Sequence, residues 1–92
     1  MTQDEKAFFL LVDAHVRKCH QAILTEFFLD PEGHEYHLCF RPLHPPQDPF
    51  ACCYVSVPVE TIRIAASILA VPQPVAESIG YELRIFKHPS QT

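Results

Sequence analysis

The run Asp30-Pro31-Glu32-Gly33-His34 constrains the fold of this chain more than any other part of its sequence. Proline fixes φ for the second position of a turn, and glycine supplies the positive φ that a bulged hairpin loop requires. We therefore predict a β-hairpin centred on this run, with Asp30 facing His34 across the turn.

That register divides the side chains of the hairpin between two faces of a sheet. The first face is mostly apolar, so we expect it to pack against helices; its pairs are Phe28 with Tyr36, Glu26 with Leu38, and Leu24 with Phe40. The second face mixes apolar and polar groups; it holds Leu29 beside Glu35, Phe27 with His37, Thr25 with Cys39, and Ile23 with Arg41.

A mixture of large apolar and polar side chains is typical of protein interfaces. We therefore predict that the second face, with the last strand of the chain, binds a partner. The predicted partner-binding residues are Phe27, Leu29, His37, Arg41, Arg84 and Phe86.

The N-terminal segment has the pattern of an amphipathic helix. Thr2 and Glu5 match a capping box, acidic residues occupy the first turn, and basic residues occupy the last. Apolar residues recur at spacings of three and four from Phe8. We predict a helix from Gln3 that ends near His20 or Gln21.

The remaining segments are bounded by prolines. We predict a proline-rich loop over residues 42–49 and a third strand from Phe50 to Val57. Val59 to Val71 favours a short buried helix, although its alternation leaves a strand open. Ile79 to Lys87 alternates apolar and polar residues, which predicts a last strand.

The expected fold is one α+β domain over residues 1–92, in the order α-β-β-β-α-β. We expect a mostly antiparallel sheet, helices packed on one face, and disordered last residues.

Composition places the chain among small globular proteins. It has 92 residues, of which 48% are apolar, and a net charge of -4 that is not concentrated in blocks. The basic residues do not cluster, which argues against general binding to nucleic acid. The N-terminus lacks the pattern of a signal peptide, and no apolar run is long enough to cross a membrane. We expect a cytoplasmic protein whose four cysteines are reduced.

Histidine and cysteine residues raise the possibility of metal or thiol chemistry. His15 and Cys19 share a helix face, and His37 and Cys39 share a strand face, but the paired loop spacing of a structural zinc site is missing. Cys52 and Cys53 are adjacent on a predicted strand, so their side chains should point to opposite faces. With two glycines the chain has no glycine-rich phosphate loop. We predict no cofactor, no metal and no catalytic residues, and keep a small metal- or thiol-dependent enzyme as an alternative.

A second alternative comes from residues 64–79. With Ala66 at the small contact position and Leu69, Val71 and Ile79 as apolar framework, this segment resembles a helix-turn-helix. Its second helix would carry no basic residue and would end at Gly80.

The main prediction is a non-catalytic protein-binding or regulatory module, such as an adaptor, an inhibitor of a larger enzyme or an assembly factor. Its partner is another protein or a second copy of the chain, bound at the mixed sheet face or at an exposed strand edge.

Overall fold

The computed structural model of the chain describes residues 1–43 and 52–87. Its elements are three helices and three strands: α1 (Gln3–His20), β1 (Ala22–Leu29), β2 (Glu35–Pro42), β3 (Cys53–Pro58), α2 (Glu60–Ile68) and α3 (Gln73–Lys87). Most of the predicted proline-rich loop, the predicted start of the third strand at Phe50 and the predicted disordered end lie outside the described residues.

Helix α1 has the predicted bounds and the predicted cap. The Thr2 hydroxyl accepts the Glu5 amide at 3.1 Å, and the Glu5 carboxylate accepts the Thr2 amide at 2.8 Å. The helix ends where Gln21 adopts a left-handed conformation with φ 47°. Phe8, Val12 and Val16 form its buried stripe.

The predicted hairpin turn is confirmed. The Gly33 amide donates to the Asp30 carbonyl at 3.0 Å, Pro31 holds the second turn position, and Gly33 has φ 77°. The Asp30 carboxylate also accepts the His34 amide at 2.9 Å, which lowers the pKa of Asp30. However, the Asp30 amide donates to the carbonyl of Glu35, so four residues form the loop and Asp30 does not face His34 as predicted.

The extra loop residue shifts the strand pairing in the half of the hairpin next to the turn. Ile23 pairs with Arg41 and Leu24 with Phe40, as predicted, but a bulge at Thr25 follows. Beyond the bulge Phe27 pairs with Leu38 and Phe28 with His37. The predicted assignment of Phe27 to the second face and Phe28 to the first was therefore wrong, because the four-residue loop and the bulge shift the pairing of residues 26–29 by one and turn their side chains to the opposite face.

The three strands form an antiparallel sheet in the order β1-β2-β3. One face of the sheet holds the core side chains of β2 and β3, which are Tyr36, Leu38, Phe40, Cys53, Val55 and Val57. Buried residues from all three helices join the same cluster. The helices therefore pack on one face of the sheet.

Helix α2 confirms the preferred interpretation of the segment after Pro58. Val59 precedes its first residue, and Thr61, Ile62 and Ala65 are buried. The helix ends where Leu69 takes a left-handed conformation with φ 56°, and the Leu69 amide donates to the Ala65 carbonyl at 2.8 Å.

The predicted last strand is wrong, because residues 73–87 form helix α3. Val75, Ile79 and Leu83 repeat every four residues and are buried, whereas Tyr81, which the alternating pattern placed on their face, is exposed. Pro74 lies in the first turn of the helix, where its missing amide costs no hydrogen bond. The order of elements is therefore α-β-β-β-α-α, and no helix among the described residues is long and apolar enough to span a membrane.

Candidate protein-binding face

The side of the sheet that faces away from the helices is the candidate site, and we call it the outer face. Its described side chains come from alternate positions of the three strands and from the residue before β3: Ile23, Glu26, Phe28, Glu35, His37, Cys39, Arg41, Cys52, Tyr54 and Ser56. Acidic, basic, aromatic and thiol groups therefore share one surface.

Two aromatic side chains of the outer face are exposed. Phe28 is 47% exposed and stacks on the His37 ring, with ring centroids 5.1 Å apart. Tyr54 is 55% exposed. The His37 Nδ1 lies 3.1 Å from the Ser56 hydroxyl, which ties β2 to β3 beside the Phe28 ring. Phe28 therefore stacks on a histidine whose ring also contacts Ser56 of the neighbouring strand.

Next to these aromatics the outer face contains a shallow cavity of about 270 Å³. Its walls are Thr25, Glu26, Cys39, Arg41, Cys52 and Tyr54. The bulge in β1 builds one wall, because the Thr25 hydroxyl donates to the Cys39 carbonyl at 3.1 Å. Glu26 and Arg41 place opposite charges on the rim of one cavity.

The thiols of Cys39 and Cys52 and the hydroxyl of Tyr54 interact inside this cavity. Cys39 is only 3% exposed, and burial raises the pKa of its thiol. Hydrogen bonding with Cys52 and the neighbouring charge of Cys39 raise the pKa of Tyr54 to about 12. The phenol therefore stays protonated at neutral pH and can donate a hydrogen bond.

The structure brings together only part of the predicted site. His37 and Arg41 lie on the outer face, as predicted. Phe27 packs in the core, stacked on Tyr36 at 5.0 Å, and Leu29 pairs with Tyr36 at the hairpin end, so neither lies on the outer face.

The other two predicted residues lie on α3 instead of on a strand. Arg84 is exposed, with its guanidinium 5.6 Å from the centre of the Tyr81 ring, and Phe86 packs against the core. The predicted partner-binding residues therefore do not form one surface, and whether any of them binds a partner stays a prediction.

Sequence reasoning missed Phe28 and Tyr54 as exposed residues of this face. The alternation of Cys53, Val55 and Val57, which are buried, could have identified Tyr54 as outward-facing. No sequence pattern predicts the bulge that places Phe28 on the outer face.

The positions of the histidine and cysteine residues bear on the metal alternative. The Cys19 Sγ lies 3.9 Å from the His15 Nδ1, so this pair is close, but the described residues contain no cluster of three or more such groups that could hold a metal. The four cysteines are free thiols. Cys53 points into the core and Cys52 lines the cavity, which confirms that the adjacent cysteines face opposite ways.

Comparison of the chain with models of protein families, with curated protein sequences and with solved structures finds no match.

Proposed function

We propose that this protein is a non-catalytic protein-binding module that docks another protein on its outer face. The observation that carries the proposal is the exposure of Phe28 and Tyr54 on the side of the sheet away from all three helices. Aromatic side chains that are surrounded by polar groups are the residues that most often dominate the free energy of protein association.

Three properties of the outer face support a protein as the ligand. The stacked pair of Phe28 and His37 is an aromatic platform in which Ser56 contacts His37, so the pair loses little side-chain entropy on binding. The rim carries Glu26 and Arg41, which can orient a partner that has both signs of charge. The cavity is shallow, which suits a protruding side chain of a partner better than an enclosed small molecule.

The first test removes the aromatic platform while preserving the sheet. We expect the double variant Phe28→Thr and Tyr54→Thr to stay folded, because both side chains are exposed and threonine favours strands. Loss of two such anchors should weaken partner binding roughly tenfold or more. Self-association is measured by sedimentation velocity, and association with other proteins by capture on immobilised chain followed by titration of each captured protein.

The matched control is Leu10→Gln. Leu10 is a 57% exposed apolar residue on α1, on the other side of the sheet, and glutamine keeps its helix propensity. A partner that binds the wild type and the control equally but loses affinity for the double variant supports the proposal. Equal binding to all three proteins, or loss with Leu10→Gln alone, contradicts it.

A helix-turn-helix regulator is the second candidate, because α2 and α3 are indeed two helices joined by the short segment 69–72. The exposed polar residues at the start of α3 are Gln73, Glu77 and Ser78, with Glu82 one turn further on. Without basic residues at that position, binding to the phosphate backbone would be weak. Fluorescence anisotropy with mixed duplex DNA in low salt tests this candidate, and saturable binding would favour it over the outer-face proposal.

A further inference from the structure

The cavity of the outer face holds two thiols that reach it from different strands. Cys39 pairs with Tyr54 across β2 and β3, and Cys52 lies two residues before Tyr54, so both cysteines project on the same side of the sheet. Both line the cavity. The two thiols therefore lie near each other on one side of the sheet.

The other two cysteines are placed differently. Cys53 is 5% exposed in the core, and burial raises the pKa of its thiol to about 11. Cys19 lies near the end of α1, on the helix side of the sheet. Neither shares the cavity with the Cys39 and Cys52 pair.

We propose that Cys39 and Cys52 form a reversible disulfide by exchange with a small-molecule disulfide such as oxidised glutathione, which makes the centre of the outer face a thiol-modification site. A disulfide requires Cα atoms 4.4–6.8 Å apart, somewhat closer than the roughly 7–8 Å of diagonal neighbours in a sheet. The necessary shift falls on Cys52, which precedes the first residue of β3 and is not held by its ladder.

The reaction has two displacement steps. Cys52 is the better exposed of the two thiols, so its thiolate attacks one sulfur of the small disulfide and releases one thiolate, which takes up the proton that Cys52 lost. The Cys39 thiolate then attacks the Cys52 sulfur and releases the second small thiolate, which likewise becomes a thiol. Two protein thiols are oxidised to one disulfide, and one small disulfide is reduced to two thiols.

The burial of Cys39 slows the second step. Because the pKa of the Cys39 thiol is raised, little of it is ionised at neutral pH, and the second step should accelerate as the pH rises. A disulfide here would also remove the Cys52 thiol that Tyr54 contacts. An effect on docking at the outer face rests on the proposed function, whereas formation of the disulfide does not.

The experiment uses the full chain with Cys19→Ser, which leaves three of its four thiols. Protein is equilibrated without oxygen in mixtures of reduced and oxidised glutathione, quenched with acid, and alkylated in denaturant. Mass spectrometry should show the loss of two alkylatable thiols and no retained glutathione. Digestion with chymotrypsin, which cuts after Phe40 and Tyr54, should link the peptide of Cys39 to the peptide that holds Cys52 and Cys53. Fragmentation of that pair should find the alkyl label on Cys53 and the disulfide on Cys52.

Two further measurements keep the test independent of any single variant. Adding Cys39→Ser should trap one glutathione on Cys52, because the thiol that completes the second step is gone. If that variant does not fold, phenylarsine oxide, which bridges two neighbouring thiols, should protect Cys39 and Cys52 of the parent protein from alkylation.

Three results would overturn the proposal: three alkylatable thiols in every glutathione mixture, a disulfide between Cys52 and Cys53, or glutathione retained on Cys52 while Cys39 is intact. Since all of these are measured on the isolated chain, they are independent of whether the outer face binds a partner. Equal partner affinity of the reduced and oxidised proteins would remove only the link to docking.

Discussion

The two glycines of the chain sit in backbone positions with opposite requirements. Gly33 has φ 77°, which L side chains rarely adopt, although a Cβ there would meet no atom within 4 Å. Gly80 lies inside α3, and a Cβ there would contact the His20 ring at 3.5 Å, an ordinary van der Waals distance. A methyl group at Gly33 would therefore strain the backbone without a steric clash, whereas the structure has space for a methyl group at Gly80.

The same substitution should change stability in opposite directions at these two residues. We expect Gly33→Ala to lower the free energy of unfolding by about 1–2 kcal/mol, because alanine is strained at positive φ. Gly80→Ala should raise it by about 0.5–1 kcal/mol, because alanine favours the helix interior. Urea denaturation of both variants measures the change, and a neutral Gly33→Ala would show that the turn does not hold this residue at positive φ.

At the scale of elements, local signals predicted local structure well. The capping box of Thr2 and Glu5 and the turn at Pro31 and Gly33 each depend on residues within one short segment, and both are present as predicted. The register of the hairpin depends on the length of the loop and on a bulge at Thr25, which no residue type specifies. For that reason the sequence located the hairpin but assigned Phe27 and Phe28 to the wrong faces.

Helix α3 was missed for a different reason. Ile79 and Leu83 fit both a period of two and a spacing of four, so this short run supports either a strand or a helix. Val75, which precedes the run by one helical turn, continues only the spacing of four and is buried with them. Val75 lies outside the segment from Ile79 to Lys87 on which the predicted strand was based.

One carboxylate of α1 is hydrogen-bonded to the backbone of β1. Asp13 accepts the Leu24 amide at 3.0 Å with one oxygen and the Arg17 side chain at 2.8 Å with the other. Asp13→Ala leaves the partly buried amide without this partner, so we expect a loss of about 1–2 kcal/mol in the free energy of unfolding.

Arg17→Ala separates the two interactions of Asp13. It removes the exposed ion pair but leaves the bond to Leu24, and exposed pairs contribute less than about 1 kcal/mol. Chemical denaturation of both variants is the measurement. Equal losses would mean that the ion pair, and not the amide bond, accounts for the effect.

At the scale of the whole molecule, a hydrogen bond joins the first turn of α1 to the middle strand. The Tyr36 hydroxyl donates to the Glu5 carboxylate at 3.0 Å. The backbone and side-chain bonds of Thr2, followed by the bond from Tyr36, lower the pKa of Glu5 below its usual 4.5. The ionised form of Glu5 is therefore favoured by folding.

This predicts a defined pH dependence. The stabilisation by Glu5 is complete above its unfolded pKa of 4.5 and disappears as the pH falls through the lower folded value. Glu5→Gln should lower the stability by about 1 kcal/mol at pH 7, and the difference from the wild type should shrink below pH 4.5. Urea denaturation across this range tests it, with the exposed Glu32→Gln as control; a difference that is constant with pH would contradict the prediction.

The bulge and the Asp13 contact both affect the free edge of β1. In the described part of the sheet β1 is an edge strand, and edge strands can pair with strands of other molecules to form fibrils. The extra residue at Thr25 interrupts its regular spacing, and Asp13 occupies the Leu24 amide that an incoming strand would need. Pairing of another strand with the backbone of β1 is therefore disfavoured at Leu24 and at the bulge.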